Sequence, residues 1–239
     1  MCTDQICVAT ITRARDQNEA ELIYRTLTAL SARGFHIVAA DGGSRPSFVE
    51  ALSRVPNLTL AASEHSGLIG QIKASIRAAR TRSARHILYV ESDKEQFVSG
   101  AMDAFISKAL EHESAGVVLA SRSPSSFATF PAFQRRAESA FNAVASVILG
   151  VDADFLYGPF VMNGAVAALV DGAAPDLGWG WRPFVFSTAR QRGQRMVIVE
   201  GDYPCPADQV HEHDAERQHR LRQLGENLKG LVQGGGRHT

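Results

Sequence analysis

Arg85-His-Ile-Leu-Tyr-Val-Glu-Ser-Asp-Lys94 sets an apolar, β-branched and aromatic run, residues 87–90, directly against two acids, Glu91 and Asp93. So short a run reads as a buried strand. Side chains alternate along a strand, so extended geometry through residue 93 would bring the Glu91 and Asp93 oxygens together at its carboxyl end. Open α/β sheets bind ligands at that end. Paired carboxylates there suit a hard divalent cation that also holds phosphate oxygens. The plainer alternative makes Asp93 the cap of the following helix, helped by Gln96.

Outward from this segment, strands and helices alternate. Residues 5–11 read as a first strand. Asp16 and Glu19 have capping-box spacing before a helix to about Ala32, faced by Ile23, Leu27 and Leu30 and stopped by Gly34. Residues 35–40 form a second strand that ends at Asp41-Gly-Gly-Ser44, and residues 58–62 a third. Gly67 to Gly70 opens a helix faced by Ile69, Ile72, Ile76 and Ala79. Residues 97–111 are helical and 116–120 form another strand. The alternation predicts an α/β fold, a three-layer sandwich with a mainly parallel central sheet. Right-handed crossovers then gather the strand-end loops, so Asp41 and Asp93 are expected at one sheet edge.

After residue 121 the pattern loosens. Residues 123–131 read as a polar loop bounded by prolines. Phe133, Ala137, Phe141, Val144 and Ile148 mark a long amphipathic helix. Residues 152–163 are turn-rich. Gly178-Trp-Gly-Trp-Arg182 precedes a helix to about Arg192, and 196–199 is a late strand. Leu221, Leu224, Leu228 and Leu231 face a last helix over 214–231. Residues 1–232 read as a single domain and 233–239 as a disordered, Gly-rich tail.

With 45% hydrophobic residues the 239-residue chain can bury a full core, and 25 Lys plus Arg balance 25 Asp plus Glu. No global charge argues for a nucleic-acid partner. Cys2, Cys7 and Cys205 form no CxxC pair, so a disulfide framework is not expected and a reducing compartment fits. No basic segment followed by an apolar run marks a signal peptide. The most apolar stretch, 141–151, falls short of the roughly 20 residues a transmembrane helix needs. A cytoplasmic protein without a transmembrane segment is expected.

Taken in order, Val8-Ala-Thr-Ile-Thr-Arg13, Asp41-Gly-Gly-Ser44, Gly67 to Lys73, Glu91-Ser-Asp93, Asp154 to Phe160, Gly178-Trp-Gly-Trp181 and Pro204-Cys-Pro206 resemble a GT-A glycosyltransferase of the family 2 type. The likeness spans roughly residues 5 to 230. It implies a nucleotide-binding half to about residue 121 and an acceptor half over 122–232. It implies a nucleotide-sugar donor, UDP- or GDP-linked, a small-molecule or lipid-linked acceptor, and Mg or Mn at the diphosphate. Asp41 would meet the base or ribose, with Thr10 in the same nucleotide site. Glu91-Ser-Asp93 would be the DxD motif, with Asp93 the principal metal ligand and Glu91 reaching the metal through water or contacting ribose. A bound divalent ion stabilises the charge gathering on the leaving diphosphate. Lys73 and Arg13 are candidate phosphate contacts; the competing reading makes both solvated cations. Some such enzymes, including those similar to mannosylglycerate synthase, take a C-terminal histidine as a metal ligand, and His211 or His213 would serve. An exposed polar loop is the alternative. Trp179 and Trp181 would offer flat faces to sugar, or be core. Tyr157 lies on the acceptor side. Asp154 is read as a general base of an inverting enzyme, or as a group that orients a donor hydroxyl or caps a turn.

Two other classes stand beside this one. A non-catalytic module of the same fold would bind nucleotide or sugar without turnover; the Glu at position 91 motivates it. A sugar nucleotidyltransferase would need a Gly-rich basic loop after the first strand, where this chain has Ala9-Thr-Ile-Thr-Arg-Ala-Arg15. The oligomeric state is not fixed by the sequence, and a homodimer is kept open.

Overall fold

Alternate residues of β1 (Ile6–Thr12) enter opposite apolar layers, Cys7 and Ala9 on one side and Ile6 and Val8 on the other. β4 (His86–Tyr89) does the same, with Ile87 and Tyr89 opposed to Leu88 and Val90. Strands buried on both faces need no polar alternation, which is why the 87–90 run is continuously apolar. The computed structural model describes residues 3–236. Cys2 and residues 237–239 of the expected tail lie outside the described residues.

β2 (His36–Asp41) and β3 (Leu58–Leu60) extend the sheet on one side of β1, and β4 flanks the other. Beyond β4 come β6 (Phe160–Asn163), β5 (Val117–Arg122) and β7 (Met196–Gly201), giving the order β3-β2-β1-β4-β6-β5-β7. β1 is parallel to β2 and β4, and β5 to β7. β6 runs against both β4 and β5. The chain winds outward to β3 and then returns to the far side of β1. The resulting switch point lies between β1 and β4, where a crevice opens at the strands' carboxyl ends. Both β2 and β4 run parallel to β1, so Asp41 and Asp93 do lie at the same edge.

One face is covered by α1 (Gln17–Ala32), α2 (Pro46–Ser53) and α4 (Met102–Leu110). α1 starts where expected, with the Asp16 carboxylate accepting from the Glu19 amide at 2.9 Å. A π-helical turn, Phe97–Ala101, leads into α4 beside the end of β4; such turns often sit at functional sites. The other face carries α3 (Leu68–Arg80), α6 (Ala132–Leu149), the short α7 (Gly164–Ala167), α8 (Trp181–Gln191) and α9 (Asp214–Gly235).

Several expectations are corrected in the second half. The loop at 123–131 contains α5 (Pro124–Ala128), capped by the Ser123 hydroxyl and started by proline. α6 is turned from its expected face: Gln134, Glu138, Phe141, Ala145 and Leu149 are buried, while Val144 and Ile148 are exposed. The cause is Arg122, buried at the end of β5, which needs the Glu138 carboxylate inside. α9 buries Asn227, Gly230, Leu231 and Gly234, and leaves Leu221 and Leu228 outside. It continues through residues expected in the tail, because the glycines are its contact face. A Cβ on Gly230 would strike the Gly180 carbonyl, and one on Gly234 the Phe184 carbonyl, so α9 crosses α8 at backbone distance.

Candidate functional site

The polypeptide does not stay extended past Val90. The Lys94 amide donates to the Glu91 carbonyl at 3.1 Å, closing a turn over 91–94, and the Ser92 hydroxyl donates to the Ile11 carbonyl at 2.7 Å. The turn separates the two acids. Glu91 keeps the side of the sheet that Tyr89 faces and is buried, with Oε1 accepting from Arg182 Nη1 at 2.7 Å. Its Oε2 is buried without a hydrogen-bond partner, against Gly158 at φ +129°. Glu91 is therefore a structural ion-pair partner of α8 and does not stand beside Asp93 as an open metal ligand. Asp93 is exposed at the carboxyl edge. Neither a hydrogen bond nor an ion pair engages its carboxylate among the described residues, so it caps no helix.

Asp41 is held by its own turn. Oδ1 accepts from the Gly43 and Ser44 amides at 2.9 and 2.8 Å, and Oδ2 from the Thr12 and Ser44 hydroxyls at 2.9 and 2.6 Å. Four donors fill the lone pairs of a carboxylate. Asp41 thus fixes the β1 and β2 ends relative to each other, and a ribose or base would have to displace one of these bonds. Thr10 is fully buried within β1 and offers no surface to a ligand, which corrects its expected place in a nucleotide site. Arg13 is exposed just past β1. Lys73 stands apart: its Nζ donates to the Asp171 carbonyl at 3.0 Å, and it lines a separate cavity with His65 and Arg77.

A cavity of about 440 Å³ opens beside Asp93, between α1, the π-helical turn and the segment after β7. Phe97, Tyr157 and Tyr203 give it an aromatic wall. Tyr157 and Tyr203 stack with ring centroids 4.7 Å apart and planes within 5°, and Phe97 meets both edge-on. Lys94 Nζ lies 5.0 Å from the Tyr157 ring centre. Burial pushes the Tyr203 phenol up to about 12. Burial, then the neighbouring Tyr203, raises Tyr157 further. Both remain neutral hydrogen-bonding phenols across physiological pH.

Asp154 lies outside this cavity. It is buried and paired to Arg122 Nε, accepts from Asn142 Nδ2 at 3.1 Å, and so cannot serve as an open general base. Arg122 also reaches Glu138 at 2.5 Å and lies 4.2 Å from the Phe130 ring centre. Burial alone would lower the guanidinium pKa, but Glu138 and Asp154 outweigh it and hold the group above its ordinary value. Trp181 is fully buried against Tyr89 and Phe160, so its sugar-facing reading is corrected to core. Trp179 is half-buried, 5.6 Å from the Arg182 guanidinium, and does not line the cavity beside Asp93. His211 and His213 are exposed. His213 starts α9, its amide donating to Glu216 at 3.1 Å, while Glu212 between them accepts from the Phe133 and Gln134 amides at 3.1 and 2.8 Å. No three His, Cys, Asp or Glu side chains converge as a metal set among the described residues, so neither histidine joins Asp93 in one.

Sequence reasoning missed Arg182, Arg122, Lys94, Tyr203, Asp202 and Asp208. Lys94 and Arg182 adjoin motifs that were read, and a cation next to each was the available signal. Tyr203 adjoins Pro204-Cys-Pro206 in the same way, while nothing local marks Asp208.

No protein-family model matches the sequence, and no curated protein matches it. Solved structures do. Mannosyl-3-phosphoglycerate synthase from Rubrobacter xylanophilus superposes with a TM-score of 0.66 at 13% identity, covering 95% of this chain and 72% of that one. Glucosyl-3-phosphoglycerate synthase from Mycobacterium tuberculosis, in complex with Mn2+, uridine diphosphate and phosphoglyceric acid, gives 0.63 at 12% identity over 96% of this chain and 78% of that one. The same enzyme with Mg2+ and uridine diphosphate gives 0.62 at 11% identity over 95% and 79%. Strand order, the reversed β6, the switch point beside Asp93 and these superpositions agree: the chain has the GT-A fold.

Proposed function

We propose that the protein is a glycosyltransferase that moves a sugar from a nucleoside-diphosphate sugar to an acceptor held in the cavity beside Asp93. The observation that carries this reading is the exposed, unpartnered Asp93 carboxylate at the switch point of a GT-A sheet, opening onto that cavity. Mg and Mn bind through one or two carboxylates, with substrate phosphates and water completing the shell. A single free carboxylate therefore fits such an ion when the diphosphate arrives with it. Similar structures hold Mn2+ or Mg2+ with uridine diphosphate, which supports the same chemistry here. When bound, the ion stabilises the charge of the departing diphosphate.

In the transfer, the acceptor hydroxyl oxygen bonds to the anomeric carbon as the carbon–diphosphate bond breaks. The diphosphate leaves with the bonding pair, and the hydroxyl proton goes to a departing phosphate oxygen or a cavity carboxylate. Asp154 is not that carboxylate. Arg13, exposed after β1, is placed to meet phosphate. Among the described residues no helix is long and apolar enough to cross a membrane.

A second reading is favoured by one observation: Glu91 and Asp154 are both locked in ion pairs, which suits a fold kept for binding alone. A thermal-shift screen of UDP, GDP and their sugars with and without Mn tests the shared binding step. A true donor at a hundredfold excess over its Kd stabilises the fold by about 2.7 kcal/mol. Release of nucleoside diphosphate from that donor then separates transferase from binder. No Mn-dependent stabilisation by any nucleotide would overturn both.

A further inference from the structure

We infer that the acceptor is cationic, a hydroxyl-bearing amine, and not a phosphorylated or carboxylated compound; this rests on the transferase reading above. The charge of the cavity carries the argument. Its lining includes Glu19, Glu21, Asp93, Glu95, Asp202 and Asp208, against Arg25 and Lys94. Glu19 is bound by Arg15 and Glu95 by Arg25, so those acids are matched. Glu21, Asp93, Asp202 and Asp208 have no ion-pair partner among the described residues, and all four are exposed. Ser126 donates to Asp202 Oδ1 at 2.5 Å, which fixes that carboxylate without neutralising it. With Asp93 given to the donor's metal, Asp202 and Asp208 remain on the segment between β7 and α9.

A second, independent feature marks this cavity as a binding site. Tyr157 and Tyr203 line it, are 8% and 5% exposed, and their hydroxyls have no hydrogen-bond partner among the described residues. A ligand hydroxyl meets that need. The same wall already accommodates an ammonium, Lys94 Nζ, at 5.0 Å from the Tyr157 ring centre. Aromatic faces and carboxylates together favour a cation. A cleft lined by one sign of charge concentrates ligands of the opposite sign and repels its own. A phosphate or carboxylate acceptor would face Asp202 and Asp208 with only Lys94 to offset them. Three of the similar structures hold phosphoglyceric acid; this cavity is built for the opposite charge.

Calorimetric titration of the full chain at pH 7 and low salt, with and without Mn and UDP, tests the inference. Three probes share a small polyhydroxy or hydroxy-acid scale: glucamine, sorbitol and 3-phosphoglycerate. Glucamine should bind at least about tenfold tighter than sorbitol, with an affinity that falls as salt rises, and 3-phosphoglycerate should not bind. Asp202→Asn with Asp208→Asn should remove the preference for glucamine and leave sorbitol unchanged. If the double variant fails to fold, Asp208→Asn alone, on an exposed turn, should still reduce the preference. Binding of 3-phosphoglycerate, equal affinity for glucamine and sorbitol, or no binding of glucamine in either condition overturns the inference. UDP and GDP binding with Mn is measured separately on the same protein. Its absence would overturn the transferase reading, whereas loss of the amine preference overturns only this one.

Discussion

A carboxylate taken out of water is tolerated only against a cation, and at Glu91 that cation is Arg182, supplied by a helix 91 residues away in sequence. Glu91→Ala should therefore destabilise the fold by about 3–5 kcal/mol, because it strands a buried guanidinium. Asp93→Asn should change stability by no more than about 0.5 kcal/mol, since nothing in the protein depends on that carboxylate. Urea denaturation of the two variants checks both. A stable Glu91→Ala protein would show that Glu91 is free to act as a ligand. Trp181, fully buried against Tyr89 and Phe160, belongs to the core. Trp181→Ala should cost about 3–5 kcal/mol. An unchanged midpoint with a selective loss of sugar transfer would return this residue to the site.

At the scale of elements, the crossing of α8 and α9 depends on glycine. Gly230→Ala drives a methyl into the Gly180 carbonyl, where backbone on both sides has no room to yield, and should destabilise by about 2 kcal/mol. Gly225→Ala, on the same helix with open space around it, should stabilise by about 0.5–1 kcal/mol through helix propensity. Equal effects in denaturant titrations would mean that the close approach is not what fixes the pair. Strands β1, β2, β4 and β5 were legible because strands buried on both faces are continuous apolar runs, and the edge strand β7 from its short β-branched run at 196–199. β6 was not, being four residues after Gly158-Pro159 whose pairing is antiparallel and non-local. The α6 face was misread because Arg122 draws Glu138 inward and turns Val144 and Ile148 to solvent. Gly234 looked like a tail because a glycine that packs and a glycine that frays read alike. In the site, Asp93 was legible from its place after an apolar run, and Tyr157 only from the resemblance that the 154–160 segment carries. The loss of Glu91 and Asp154 to ion pairs was not, because Arg182 and Arg122 meet them only in the folded chain.

For the whole molecule, the two helical layers pack on one sheet whose first β4 residue, His86, is itself buried. Burial holds its imidazole below the ordinary value of 6.5, with Glu113 opposing the shift. As pH falls through about 6.5, the unfolded chain takes up this proton before the folded one. Stability is therefore full above that value and falls through the folded pKa. The melting temperature should drop between about pH 7.5 and about pH 5.5, and His86→Gln should flatten the drop. An identical slope in the variant would assign it to other groups.

The central claim is that a nucleoside diphosphate binds this sheet edge through a metal held by Asp93. Calorimetric titration of UDP and GDP, each with and without Mn, in the wild type and in Asp93→Asn, tests it most directly, with the bare nucleoside as control. The account predicts Mn-dependent binding of one diphosphate in the wild type. It predicts at least about a tenfold loss of that affinity in Asp93→Asn, with nucleoside binding unchanged. Equal losses for diphosphate and nucleoside, or wild-type affinity that does not respond to Mn, would contradict it.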